Sequence, residues 1–192
     1  VVDGVDLGIL LGAWGACRDV TEHCTPAWLP TFETTTNDEV RALVIFDDGL
    51  GDQPALYVGG DFTSVGGEPA NHIARWDGTT WSALGGGIDG PVHALAVFDD
   101  GSGAALYAGG DFATVAGVDG VRVVANGVAR WDPLKQSWSA LNEGLSGGWG
   151  PPVVNALLVF DDGAGPALYV GGQFATAGVI DAGHIAGWNG KD

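Results

Sequence analysis

The sequence predicts an all-β fold of propeller blades, because one pattern of short strands occurs three times. Repeats that begin at Val40, Val92 and Val154 each open with V-x-A-L, at offsets of about fifty and sixty residues. Each contains β-branched or aromatic segments bounded by glycine, aspartate, asparagine or proline, which is typical of strands joined by tight turns. Four such strands per repeat at this period indicate the blades of a β-propeller.

Four segments follow one another in the same order within the repeats. The first repeat contains "VRALVIFDD", "ALYVGGDF", "HIARWDG" and "TWSAL", and the second contains a close copy of each. The third repeat has the first three and reaches "HIAGWNG". The first two segments are apolar almost throughout, which predicts inner strands that neighbouring sheets cover on both faces.

Tryptophans and paired glycines recur at fixed places in these segments. The large indoles of the third and fourth strands are predicted to pack between sheets; they belong to Trp76, Trp131, Trp188, Trp81 and Trp138. Glycine pairs that begin at Gly59, Gly109 and Gly171 lie inside a strand, where glycine is unfavourable. The pairs therefore predict a bend or a close backbone approach near the propeller axis.

The motifs "YVGGDF", "IARWDG" and "WSALG" give the repeats a family likeness. They resemble the glycine-rich, kelch-like and delta-60-type β-propeller repeats of secreted bacterial proteins, over about residues 26–192. The resemblance implies a propeller fold and an extracellular or cell-surface location. It implies no particular function, because this fold hosts binding, scaffold and enzymatic roles.

A segment before the first repeat aligns with a fourth strand. "AWLPTFETTTNDEV" matches "TWSALGGGIDGPV", so Trp28 corresponds to Trp81, while the third repeat reaches "WNGKD" without a fourth strand. Propellers commonly close with a strand from the other terminus. We therefore expect one chain to complete the third sheet of another, as a homo-oligomeric ring or an open chain. The alternative is a piece of a longer propeller. The exchanged residues would be Ala27, Trp28, Leu29, Pro30, Thr31 and Phe32.

Residues 1–25 form a separate predicted segment. Leu7, Leu10, Leu11 and Trp14 have the spacing of a short amphipathic helix. "VVDGVDLGILLGAWGACRD" resembles the second half of a dockerin or EF-hand-like calcium motif, in which Asp3 and Asp6 would be ligands. Because Ca²⁺ needs six to eight oxygens, half a ligand set favours a structural helix over an occupied site. An intact motif would imply calcium binding and a cohesin-like partner.

Cys17 and Cys24 are the two cysteines of the chain, close together between the predicted helix and the first strand. No second cysteine pair or histidine cluster accompanies them, so a tetrahedral zinc site lacks ligands. A local disulfide is the favoured interpretation, and it suits an exported protein.

Each repeat carries an Asp-Asp-Gly turn between its first two strands. Aspartate caps its own backbone amides and glycine accepts positive φ, so turn chemistry explains the pattern. The alternative is weak calcium binding by carboxylates that share one rim. These carboxylates belong to Asp47, Asp48, Asp99, Asp100, Asp161 and Asp162.

Two insertions distinguish the second repeat from the first. They span Ala113–Ala125 and Asn142–Val153, and both are predicted on the face opposite the Asp-Asp-Gly turns. An insertion that breaks a repeat is where a function can be added, although a tolerated long loop is the simpler alternative. Charge, hydrogen bonding and an aromatic surface suited to sugar or peptide binding would come from Asp119, Arg122, Asn142, Glu143 and Trp149.

Composition excludes several kinds of partner. The chain has 192 residues with 46% hydrophobic residues, enough for a core. Its net charge of -17 would repel nucleic acid. No apolar run approaches the roughly 20 residues of a membrane helix, so membrane insertion is not expected.

The sequence contains no recognised catalytic motif: no GxSxG elbow, no HExxH and no phosphate-binding GxxxxGK[ST]. We therefore expect a non-enzymatic extracellular module for binding or self-assembly. The alternatives are a calcium-dependent protein for cell-surface or carbohydrate attachment and, less favoured, a carbohydrate-active enzyme.

Overall fold

The computed structural model describes residues 36–148 and 150–190. They belong to one compact unit, residues 34–192. The described part contains antiparallel strands and a single 3-10 turn at Val118–Gly120, so the all-β class is confirmed. In chain order the strands are β1 (Val40–Phe46), β2 (Ala55–Gly60), β3 (Ser64–Val65), β4 (Glu68–Pro69), β5 (Ile73–Trp76), β6 (Trp81–Ala83), β7 (Val92–Asp99), β8 (Ala104–Gly110), β9 (Thr114–Ala116), β10 (Arg122–Val124), β11 (Val128–Asp132), β12 (Ser137–Ala140), β13 (Leu145–Ser146), β14 (Val153–Asp161), β15 (Pro166–Gln173), β16 (Thr176–Ala177), β17 (Ile180–Asp181) and β18 (Ile185–Trp188).

Each repeat forms one antiparallel sheet. The first sheet has the order β1-β2-β5-β6, the second β7-β8-β11-β12 and the third β14-β15-β18. Strand β7 contacts both β1 and β14, so the second sheet lies between the other two. The described residues contain no closed ring of sheets.

Short hairpins lie between the second and third strands of each sheet: β3–β4, β9–β10 and β16–β17. A side chain from the preceding segment caps the first two. The Asn37 carboxamide accepts hydrogen bonds from the amides of Thr63 and Ser64. The Asp89 carboxylate accepts the equivalent pair from Ala113 and Thr114.

A β-bulge near the start of each first strand explains the second glycine of each pair. The register shifts between Val40 and Ala42, and again at the corresponding places in β7 and β14. Opposite the bulge, a Cβ on Gly110 would lie 2.0 Å from the carbonyl oxygen of Pro91. Gly60 and Gly172 face equivalent carbonyls. The predicted close backbone approach is confirmed, and its cause is the bulge in the neighbouring strand.

The first glycine of each pair marks where consecutive sheets touch. A Cβ on Gly59 would lie 2.5 Å from Val92 of the second sheet, and one on Gly109 would lie 2.4 Å from Val154 of the third. We call the face that carries these glycines the front face of a sheet and the opposite face its back face. Front faces thus pack against the back face of the following sheet.

Two hydrophobic clusters fill these contacts. Phe46, Tyr57 and Ile73 on the front of the first sheet pack with the back of the second, around Val92 and Leu106. The second cluster repeats the arrangement one sheet further, with Phe98, Tyr107 and Val128 on one side and Val154 and Leu168 on the other.

The expectation that every inner strand is covered on both faces was wrong for the outer sheets. Only the second sheet has a described neighbour on each side. Leu43 on the back of the first sheet and Leu158 on the front of the third are exposed, because no described sheet packs there. The expectation that indoles pack between sheets agrees with the second sheet, where Trp131 and Trp138 are buried with ring centroids 5.2 Å apart.

Several predictions fall outside the described residues: the N-terminal helix with Asp3 and Asp6, the Cys17–Cys24 disulfide and the strand at 27–32. The part of the chain that the structure describes has no helix long and apolar enough to cross a membrane.

Candidate functional site

Among the described residues, the third sheet has an open edge where the other two have a fourth strand. In the first sheet β5 pairs with β2 on one side and β6 on the other, and β11 has the same two neighbours in the second. Among the described residues β18 pairs with β15 alone. No described strand pairs with its outer backbone groups, which form an edge that another strand can join.

A groove of about 880 Å³ runs along this edge. One wall comes from the second sheet and the turn after β12, with Val128, Leu141 and Leu145. The other side includes Trp188 of β18 and Ala177 of the β16–β17 hairpin. The groove is therefore largely apolar in the part that a fourth strand would cover.

One polar atom at the edge also lacks a hydrogen-bond partner within the described residues. The indole Nε1 of Trp188 is buried and has no hydrogen-bond acceptor there. The equivalent edge in the second sheet is completed by β12, and Trp138 of that strand donates its indole Nε1–H to the carbonyl of Leu84 at 3.3 Å. An incoming strand would cover the apolar lining of this edge and bring hydrogen-bond acceptors to it.

A buried ion pair joins the turn and third strand of the first sheet. The guanidinium of Arg75 donates from Nε to Asp48 Oδ2 at 2.5 Å and from Nη2 to Oδ1 at 3.3 Å, and the Tyr57 hydroxyl donates to Oδ2. Burial alone would raise the pKa of Asp48, but the hydrogen bonds from Arg75, Tyr57 and the Leu50 amide hold it below its ordinary value. Burial, followed by the Asp48 carboxylate, raises the pKa of Tyr57.

The second sheet repeats this network. Tyr107 donates to Asp100 Oδ2 at 2.9 Å, and the Arg130 Nε lies 3.1 Å from the same oxygen. That contact is an ion pair without hydrogen-bond alignment, while Arg130 Nη2 donates to Ser102 Oγ at 2.8 Å. Burial opposes ionisation of Asp100, yet hydrogen bonds from Ser102 and Tyr107 lower its pKa overall.

The third sheet keeps the tyrosine and the aspartate but has no arginine. Tyr169 donates to Asp162 Oδ2 at 3.2 Å, and the position of Arg75 and Arg130 is occupied by Gly187. Asp162, Tyr169 and Gly187 all line the groove. The groove therefore has a carboxylate at the place where the other two sheets bind a guanidinium group.

The first aspartate of each pair holds the turn. Asp99 accepts hydrogen bonds from the amides of Gly101 and Gly103, Asp161 from Gly163 and Gly165, and Asp47 from Gly49. The six carboxylates do not share one open rim, because Asp48 is buried against its arginine. Within residues 36–148 and 150–190, no group of three or more histidine, cysteine, aspartate or glutamate residues could hold a metal ion.

The insertion residues fall on separate features. Asp119 lies in the 3-10 turn with φ of 57°, and Arg122 donates to Thr114 within its own hairpin. Asn142 lines the groove of the third sheet, next to exposed Glu143. Trp149 lies outside the described residues. The structure thus brings Asn142, but not the hairpin residues, to the groove.

Both aspartates of each pair do accept hydrogen bonds from turn amides, as predicted. Sequence reasoning missed the Asp–Tyr–Arg networks because it gave the second aspartate no further role in the fold. The signal was present: Arg75 and Arg130 occupy the same place in "IARW" and "VARW", and Gly187 breaks the pattern in "IAGW". An arginine that recurs beside an acidic turn indicates an ion pair between the two.

We predict that Gly187→Arg stabilises the third sheet. The three atoms nearest to a Cβ at this position belong to the Tyr169 ring, the closest at an ordinary 3.5 Å. An arginine therefore fits there and can reach Asp162 as Arg75 reaches Asp48. Thermal unfolding followed by circular dichroism should give a Tm about 2 °C higher. Gly187→Gln, which fills the space without the charge, is the matched control; equal gains in both variants would contradict the ion pair.

Comparison with known proteins identified no relatives: no family model, no curated protein and no solved structure matches this chain.

Proposed function

We propose that this chain is a non-enzymatic module of β-propeller blades that assembles with copies of itself by strand exchange. The segment Ala27–Phe32 of one copy would pair with β18 of another and supply its fourth strand. The supporting observation is the open edge of β18 beside an apolar groove of about 880 Å³. An extracellular or cell-surface location belongs to the same proposal, supported by the resemblance of the repeats to secreted propeller proteins.

The two complete sheets supply the register for the incoming strand. Trp76 pairs with Trp81 and Trp131 pairs with Trp138. By the same register Trp28 would lie opposite Trp188, and Leu29 opposite Gly187. The exchanged strand would then place an indole beside an indole, as in the other sheets, where the ring centroids are 5.1 and 5.2 Å apart.

Pro30 is compatible with this register. In the first sheet Asp77 donates its amide hydrogen to the carbonyl of Thr80, so pairs two residues apart along the ladder, such as Arg75 with Ser82, share hydrogen bonds. The pairs that alternate with these, Trp76 with Trp81 and Ala74 with Ala83, are non-hydrogen-bonded. Pro30 would occupy the place of Ala83, where the missing amide hydrogen faces away from the sheet, as expected for proline on an edge strand.

The exchange is tested by a disulfide between copies. Leu29→Cys and Gly187→Cys are prepared as separate full-length variants with different tags, mixed and oxidised. A hydrogen-bonded cross-strand pair has Cα atoms about 5.5 Å apart, within the range that a disulfide spans. We expect a non-reducing gel to show a product containing both tags at twice the 19.5 kDa chain mass.

The control pairs Leu29→Cys with Ser139→Cys, since Ser139 is exposed on the fourth strand of a sheet that is already complete. Unmixed wild-type protein controls for Cys17 and Cys24. Equal yields for Gly187→Cys and Ser139→Cys, or no mixed product at all, would contradict strand exchange between copies.

A further inference from the structure

The two outer sheets carry unpacked faces of complementary kind. We infer that the front face of the third sheet docks on the back face of the first sheet of a second copy of this chain, head to tail. The inference deepens the proposed self-assembly and rests on it only in taking the partner to be another copy. It concerns stacking of sheet faces, whereas strand exchange concerns the edge of β18.

The exposed front face has the same residue pattern as two faces that are already packed. Phe160 and Ile185 are 55% and 63% exposed on the third sheet. Their equivalents on the first sheet, Phe46 and Ile73, are buried against the second sheet. Phe98 and Val128 are buried in the same way between the second and third. The third sheet thus presents a docking face without the sheet that follows it.

The exposed back face is the counterpart. Leu43 and Ile45 of β1 are 63% and 70% exposed. The equivalent residues of β7, Leu95 and Val97, pack against the cluster between the first two sheets. Leu43 and Ile45 would be buried in the same way if a front face of another sheet packed against β1.

At each contact between sheets, a glycine of one front face packs against a valine of the next back face. Gly59 lies against Val92 and Gly109 against Val154, with no room for a Cβ at either glycine. On the third sheet Gly171 has no such neighbour among the described residues, where the nearest atom to a Cβ would be the Cβ of Ala156, at 3.9 Å. Val40 is equivalent to Val92 and Val154 in the bulge register and is exposed. Val40 of a second copy would thus fit against Gly171.

Because the two faces differ, the contact is heterologous, and it leads to a closed ring or an open filament. The face residues named above are apolar, while the whole chain has a net charge of -17 that makes copies repel one another. Salt screens this repulsion. We therefore expect association to strengthen as ionic strength rises.

Complementation between two single-face variants tests the inference on the full chain. Leu43→Asp damages only the back face and Leu158→Asp only the front face, and both positions are exposed, so neither change disturbs the core. Sedimentation equilibrium should show self-association of the wild type, at least tenfold weaker association of each variant alone, and a one-to-one heterodimer in the mixture. The mixture retains one intact front face and one intact back face.

Gly171→Ala supplies a second measurement. Its methyl group has space within the described residues but enters the place of the partner's Val40, so association should weaken at least tenfold while unfolding of the monomer is unchanged. Association of either aspartate variant within tenfold of the wild type, or no gain on mixing, would overturn face stacking, whereas weaker association that remains in both variants is expected from strand exchange. The disulfide between positions 29 and 187 would still report on strand exchange, so the two ideas fail separately.

Discussion

Asp48→Ala should destabilise the protein by about 3 kcal/mol, because it leaves Arg75 as a partly buried charge without its carboxylate. Asp48 is itself buried and accepts hydrogen bonds from Arg75, Tyr57 and the Leu50 amide. The substitution removes all of these acceptors at once. Urea unfolding followed by tryptophan fluorescence measures the change in the free energy of unfolding.

Asp162→Ala is the matched control, since Asp162 is exposed and has no arginine partner within the described residues. We expect a much smaller loss from it; equal losses would show that the arginine contributes nothing.

The Asp48 network also makes the stability of the folded protein depend on pH in the acid range. The pKa of Asp48 is lowered in the folded protein, so its contribution is present above about pH 4, the ordinary pKa of aspartate, and is lost as pH falls through the lower folded value. Asp48→Ala should flatten the fall in stability below pH 4.

Gly110→Ala should also destabilise by about 3 kcal/mol, for a steric reason. The added Cβ would lie 2.0 Å from the carbonyl oxygen of Pro91. Neither atom can rotate away, because the oxygen is part of the backbone and the backbone of residue 110 fixes the Cβ. Relief requires the bulge at Val92–Ala94 to open, which disturbs the pairing of β7 with β8 in the middle sheet. The same urea titration measures this loss.

Gly171→Ala is the control from the same glycine motif. It adds an identical methyl group in the third sheet, where the nearest atom lies 3.9 Å away, so the cost in stability should stay below about 0.5 kcal/mol. The comparison is made at protein concentrations low enough to keep the chain monomeric. A similar loss in both variants would mean that glycine is needed for general strand geometry and not for the close contact.

The strands themselves were readable from the repeats. The short hairpins β3–β4, β9–β10 and β16–β17 were not predicted. The recurring β-branched and aromatic segments, with glycine and aspartate at the turns, did predict the strands that form each of the three sheets. These features depend on neighbours close in the chain, so the local pattern carries the information.

The candidate site could not be predicted as well from the sequence, because its elements come from different repeats. Val128 and Leu141 of the second repeat meet Trp188 of the third along one groove. No local pattern indicates that the carboxylate of Asp162 lies there without an arginine, while Asp48 is buried with one. Comparison of the repeats points to Gly187, but only the packed sheets place Gly187 beside Tyr169.

The sequence by itself determined the all-β class, the number of repeats and the turn chemistry, since these follow from residue type and spacing. The tertiary structure decided which faces are packed: Val92 and Val154 are buried against glycines of the preceding sheet, while the equivalent Val40 is exposed. The three valines have the same local sequence pattern. Their burial depends on whether another sheet lies against them, and that is a property of packing between distant segments.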